Sequence, residues 1–235
     1  RRDGRRFADE ADSYHDVMPA LFAATPAGEA PRAWMICDAR FLARWGLGRV
    51  RPAPFPRRPW IHAGYLKRGR TIAELAAACG IDPAGLVATV QRFAGPARDG
   101  RDPEFGRGGS AYNRVQGDPE HRPNPCVAPI EQAPFYAVEI VPGSLGTFAG
   151  LATDARARVL GADDRPIPGL WAVGNDMSSM MGGRYPAGGI TLGPAMTFAH
   201  LAALDAAGLD TAEADLPARS SPARSPDEDR THAAI

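Results

Sequence analysis

The chain has 235 residues, 44% of them hydrophobic and 23% charged, which is enough apolar content for one sizeable core or two small ones. Lysine plus arginine and aspartate plus glutamate balance at 27 each, so charge makes no case for a nucleic-acid or acidic-membrane partner. Cys37, Cys79 and Cys126 are odd in number and far apart, neither a disulfide framework nor a metal knuckle, and no apolar run approaches the roughly 20 residues that span a bilayer.

No metal site is expected, and a soluble cytoplasmic placement is the default expectation. No basic-then-apolar signal opens the chain. It begins at Arg1 rather than methionine, and Arg1 to Phe7 looks like the middle of a hairpin, so a fragment or one module of a longer chain is expected.

Residues 1–16 read as a strand, an Asp3-Gly4 turn and a polar stretch, followed by a short helix around Asp16 to Phe22. Ala33 to Asp38 reads as a short buried strand, and the proline-rich connector Arg51 to Pro59 is expected to run extended. Thr71 and Glu74 have the spacing of a capping box for a helix closed by Gly80, and Asp82-Pro83 starts a second helix carrying Leu86, Val90 and Phe93 at helical spacing. From 96 to 134 the chain is dense in proline, glycine and charge. Phe105, Tyr112 and several Arg-Asp pairings predict an ordered loop that wraps something.

Phe135 to Val141 reads as a strand, and 150–154 with 157–160 as a hairpin. Gly169 to Asn175 is a continuous apolar run, the pattern of a buried central strand. A glycine-rich loop follows from Gly182 to Gly189, then a helix from about Gly193 to Ala207 closed near Gly208. The polar tail beyond, with its Ser-Pro repeats, is expected to be disordered.

The segment Gly169–His200 carries the chemistry: strand, polar turn, glycine-rich loop, helix N-terminus. A strand ending in Gly174-Asn175 puts a polar side chain at a sheet's carboxyl edge, where ligands of α/β proteins bind. Gly182, Gly183, Gly188 and Gly189 let main chain approach a flat ligand, and the helix start offers free N–H groups and a partial positive charge, with Thr191 there to cap it or touch the ligand.

The run Gly-Leu-Trp-Ala-Val-Gly-Asn ending at Asn175, with Tyr185-Pro-Ala-Gly-Gly-Ile-Thr-Leu-Gly-Pro-Ala-Met196, resembles the C-terminal flavin segment of the 3-ketosteroid Δ1-dehydrogenases, within the fumarate reductase/succinate dehydrogenase-like FAD family. The likeness continues through Arg107–Arg114, Gly117-Asp118-Pro119, Pro123-Asn124-Pro125, Pro134–Val138, Pro142–Thr147 and Gly150–Asp154. Gly4 to Glu10 is similar to the family's Gly-x-Arg-Phe-x-Asn-Glu element, with Asp9 where asparagine is usual. Ala187 stands where glycine is usual, and Phe148-Ala149 replaces a Lys-Gly type pair. The family's N-terminal βαβ unit, with its Gly-x-Gly-x-x-Gly turn, is missing, so this chain alone is expected to bind FAD weakly or not at all, and to be active only with that region supplied.

The resemblance implies an α/β fold with an α+β cap: a partial, Rossmann-like FAD-binding domain plus an inserted substrate domain. The divisions expected are 1–16 as a junction, 17–138 as the cap, 139–208 as the C-terminal part of the FAD domain and 209–235 as tail. It also implies FAD, a small-molecule ketone substrate, an electron acceptor of unknown identity, and α,β-dehydrogenation with hydride transfer to flavin N5. Carried over, Tyr185 and the backbone of Gly189 hold the ketone oxygen, and Gly174, Asn175, Gly188, Gly189, Ile190, Thr191 and Leu192 contact the cofactor. The proton-abstracting tyrosine is left open among Tyr112, Tyr65 and Tyr14, with Tyr112 taken as the first choice. His15 is a further acid-base candidate, Arg184 a candidate carboxylate anchor, and Met177, Met180 and Met181 candidate wall residues. Two alternatives stand beside this reading: a fumarate reductase-like flavoprotein, and a truncated, non-catalytic fragment.

Overall fold

The computed structural model describes residues 1–209, and the expectation of a disordered tail falls on residues outside these. The chain divides into two compact units: Arg1–Gly146 with Arg184–Gly188, and Thr147–Gly183 with the described residues from Gly189 on.

The first unit is built on a three-stranded antiparallel sheet of β1 (Ala33–Cys37), β2 (Leu66–Gly69) and β3 (Phe135–Ile140), with β3 in the centre. The period of two along β3 separates two cores. Phe135 and Ala137 face Leu75, Ala76, Cys79, Ile81 and Leu86, from α4 (Ile72–Cys79), α5 (Pro83–Arg98) and the turn between them. Tyr136 and Val138 face Cys37, Leu42, Val50 and Leu66, under α2 (Ala39–Trp45) and α3 (Arg58–His62).

The caps follow from local chemistry. Thr71 accepts from the Glu74 amide at 3.1 Å, and the Glu74 carboxylate reaches back to the Arg70 amide, one residue before the position a capping box uses. Gly80 closes α4 in the left-handed region at φ 66°, and Asp82 accepts from the amides of Ala84 and Gly85.

Several expectations are corrected. Residues 1–13 form no strand. Arg1 to Gly4 is a tight turn set against the start of α5, where the Asp82 amide donates to the Arg2 carbonyl. Gly4 sits at φ 74°, and a Cβ there would strike the Leu86 backbone. Gly4→Ala is therefore expected to lower unfolding stability by about 1–3 kcal/mol in a urea titration. The first helix, α1 (Tyr14–Ala23), starts two residues earlier than expected because Ser13 caps it. Asp38 ends no strand but caps α2, its Oδ1 accepting from the Phe41 amide at 2.9 Å. The 51–59 connector turns at Pro52–Phe55 and enters α3, since proline fixes φ alone and is at home at a turn or a first helical position. α5 runs on through Pro96, which lies in the last turn and forfeits a single i−4 bond there.

The 96–134 segment is ordered, with one short helix, α6 (Ala111–Val115), and two asparagines that replace regular pairing. Buried Asn113 accepts from the Gly108 amide and donates to Asp12 at 2.8 Å. Asn124 donates to the carbonyls of Gly100 and Arg107 and accepts from the Cys126 amide. What the loop wraps is Arg6. Its guanidinium pairs bidentately with Asp102 and with Glu10 and sits about 5 Å from the ring centres of both Phe93 and Phe105.

The second unit holds a two-stranded sheet, β4 (Arg158–Leu160) against β5 (Pro166–Trp171), and the helix α7 (Gly193–Ala206). Its small core is Val159, Ala172 and Met177, with Phe198 against them. Asp205 on α7 ties down the sheet, accepting from the Trp171 indole at 3.0 Å and pairing with Arg156. The expected buried central strand is instead exposed along Pro166–Leu170, since among the described residues β4 is its one neighbour and no layer covers either face there. Among the described residues no helix is long and apolar enough to cross a membrane.

Candidate functional site

In the first unit, α1 begins at Tyr14, so the phenol projects from a first turn pinned by Ser13. The hairpin-like segment Arg184–Gly188 returns to this unit and places Tyr185 against it, with ring centres 4.9 Å apart and planes tilted by 51°. A hydrogen bond to Tyr185, then loss of water, then the nearby Tyr185 and Tyr112 phenols push the Tyr14 hydroxyl up to about 12. The raised value keeps Tyr14 protonated at neutral pH.

Of the three tyrosines held open as a base, the structure thus brings Tyr14 to Tyr185, with Tyr112 close enough to act on its charge. Tyr65 is engaged in the α2/α3 core, where its oxygen accepts from the Arg49 amide and its ring lies 5.5 Å from Trp60. His15 lies on the same helical turn as Tyr14, and Arg184 is exposed beside Tyr185. Sequence alone put Tyr112 ahead of Tyr14 and Tyr65. The signal that singles it out is Ser13 as an N-cap, which fixes its direction.

In the second unit, Gly174 to Asp176 forms a 3-10 turn after β5, and the Asn175 carbonyl accepts from the Thr147 hydroxyl at 2.7 Å. Asn175, Ile190 and Thr191 border a cleft of about 30 Å³, room for a water molecule and no more. Thr191 does not cap α7. The N-cap position is Leu192, and no side chain satisfies the helix start. Met177 is buried in the small core, whereas Met180 is 61% exposed.

The loop ahead of α7 fits a flat cofactor on its open side. A Cβ built on Gly182, Gly183, Gly188, Gly189 or Gly193 meets nothing within 4 Å, and Gly189 sits at φ 91°. Main chain therefore borders free space, with an uncapped helix N-terminus at its edge, which suits the electron-rich edge of a flavin.

The FAD binding domain model matches residues 1–192, most of the chain. The chain belongs to that family. It is 44% identical over 211 residues to a 4-oxocyclohex-2-ene-1-carboxylate 5-dehydrogenase of Sinomonas cyclohexanicum, an alignment that takes in 90% of this chain and 36% of that protein. Identity to a 3-oxosteroid 1-dehydrogenase of Mycolicibacterium smegmatis is 42% over 209 residues, covering 87% of this chain and 37% of that one. The solved 3-ketosteroid Δ1-dehydrogenase of Sterolibacterium denitrificans, in complex with 1,4-androstadiene-3,17-dione, superposes with a TM-score of 0.81 at 41% identity, over 88% of this chain and 38% of its own.

This member of the FAD binding domain family spans little more than a third of the length of those relatives. The cofactor named by the family is the one its glycine loop and helix start suit, and the fold is of mixed helix and strand content.

Proposed function

We propose that this chain supplies the ketone-holding and flavin-facing part of an FAD-dependent dehydrogenase that introduces a double bond beside a ring ketone. The Tyr14–Tyr185 pair carries the reading. A ketone oxygen and the hydrogen on the neighbouring carbon lie only a few ångströms apart, so the groups serving them must be neighbours too. Two phenols in contact meet that demand.

Tyr185 donates to the ketone oxygen, joined by the Gly189 amide four residues along the same loop, and together they stabilise the negative charge that grows there. The Tyr14 oxygen takes the proton from the adjacent carbon, and Tyr112 adds to the basicity of Tyr14. Bound FAD supplies a hydride acceptor for the β-carbon. Asn175 would lie near its ribityl chain, and the main chain of Gly174 and Gly188–Leu192 would hold the flavin. The substrate (cap) domain is assigned to 17–138 and the C-terminal part of the FAD domain, which brings Tyr185 and Gly189, to 139–208. Proteins similar to this one are named for a 3-oxosteroid and for a smaller 4-oxocyclohexanecarboxylate, and both present a ring ketone.

The flavin-loaded protein, mixed without oxygen with a 3-ketosteroid or an oxocyclohexane carboxylate, is expected to lose its visible flavin absorbance. Retention of colour with every ring ketone tried contradicts the reading. A base that works as phenolate gains tenfold in active form per pH unit below its pKa. The bleaching rate is therefore expected to climb steadily from pH 7 past the ordinary tyrosine value of about 10, towards about 12. Tyr14→Phe removes that climb.

A further inference from the structure

The α2/α3 side of the first unit holds a cavity of about 390 Å³ that the flavin chemistry does not use. Arg57, Arg58 and Arg68 line it, and Phe55 and Ile61 give it apolar surface, with Tyr136 at its floor. Three separate elements converge there: the turn before α3, α3 itself, and the β2–β3 ladder, in which Arg68 stands opposite Tyr136. The Arg57 guanidinium lies over the Tyr136 ring at 5.7 Å and reaches its hydroxyl at 3.4 Å.

No carboxylate lines this cavity, and among the described residues none of the three arginines is paired with one. That sets them apart from Arg6, Arg32, Arg44, Arg98, Arg107 and Arg158, each of which meets a carboxylate. Asp38, the nearest acid in the sequence to β1, is spent on the amides of Phe41, Glu131 and Gln132. Three like charges gathered without a counter-charge repel one another, and a bound anion relieves that repulsion.

We propose that this cavity binds a small organic anion, a carboxylate carried on a flat apolar body. Guanidinium forks match carboxylate geometry, and the exposed Phe55 ring with Ile61 takes the apolar part. The volume falls in the range of about 300–1,000 Å³ typical of small-molecule sites. The assignment is independent of the flavin reading, since none of its residues belongs to the tyrosine pair or the glycine loop.

Benzoate is the probe, titrated calorimetrically into the full chain in low-chloride buffer. Saturable one-site binding is expected, weakened about tenfold or more in Arg58→Gln/Arg68→Gln. Both side chains are exposed, so the variant should keep the melting temperature of the parent. Arg165→Gln, a solvent-exposed arginine of the second unit, should bind as the parent does. Absence of saturable heat, an unchanged affinity in the double variant, or an equal loss in Arg165→Gln would each overturn the proposal. Inorganic phosphate binding as tightly as benzoate would overturn its apolar half.

Discussion

Tyr185→Phe is expected to lower kcat/KM for a ring ketone by about 10²–10³-fold, the loss seen when one donor to a developing oxyanion is removed. The measurement is the rate of anaerobic flavin bleaching, with the flavin spectrum of the variant recorded beside it. The hydroxyl acts where charge grows, so the loss should fall on kcat rather than on KM alone. The ring stays, so its contact with Tyr14 stays, and the variant should fold and hold flavin as the parent does.

Removing Tyr185's oxygen also removes the partner that pushes Tyr14 up, and the largest cause of that rise disappears. The alkaline climb in rate should then level off at a lower pH than in the parent. Loss of this partner displaces the profile whatever Tyr185 does to the ketone, so the large fall in kcat is what marks its part in the chemistry. An unchanged kcat/KM would remove Tyr185 from the chemistry and with it the assignment of Tyr14.

Where local chemistry decides the backbone, the sequence was legible. Thr71, Gly80 and Asp82 bound two helices through hydrogen bonds within four residues of each position, and β3 reads as a near-continuous apolar run because both of its faces are covered. Asp38 shows the limit of such reading. The same residue can end a strand or start a helix, and only the Phe41 amide settles which. The failure at Pro166–Trp171 has another cause. A continuous apolar run states that two faces want covering, and among the described residues β4 is the single strand beside it. The glycine loop at 182–189 could be found from spacing and resemblance, but the pairing of Tyr14 with Tyr185 is a long-range contact that no local pattern encodes. The same holds for Arg6, whose partner Asp102 lies on a loop that composition alone left close to disorder.

That ion pair carries the largest expected effect on stability. The Asp102 side chain is 1% exposed, so Arg6→Met strands a buried carboxylate and is expected to cost about 3–5 kcal/mol at pH 7 in a urea titration. Burial by itself would raise Asp102, but hydrogen bonds and charge from Arg6 outweigh it and hold the carboxyl below its usual range. Its folded pKa is thus depressed, and the stability this contributes is present above the unfolded value near 3.9 and lost as pH falls through the folded one. In Arg6→Met the opposing cause is gone and burial dominates, so the carboxyl there takes up a proton at higher pH and the strand of uncompensated charge disappears. The gap between parent and variant should accordingly narrow between pH 7 and pH 4. Arg6→Met/Asp102→Leu, which leaves no charge to bury and keeps apolar surface against Phe93 and Phe105, should recover much of the loss at neutral pH. A gap of the same size at both pH values would mean that the cost of Arg6→Met comes from lost packing on the two rings and not from the carboxylate.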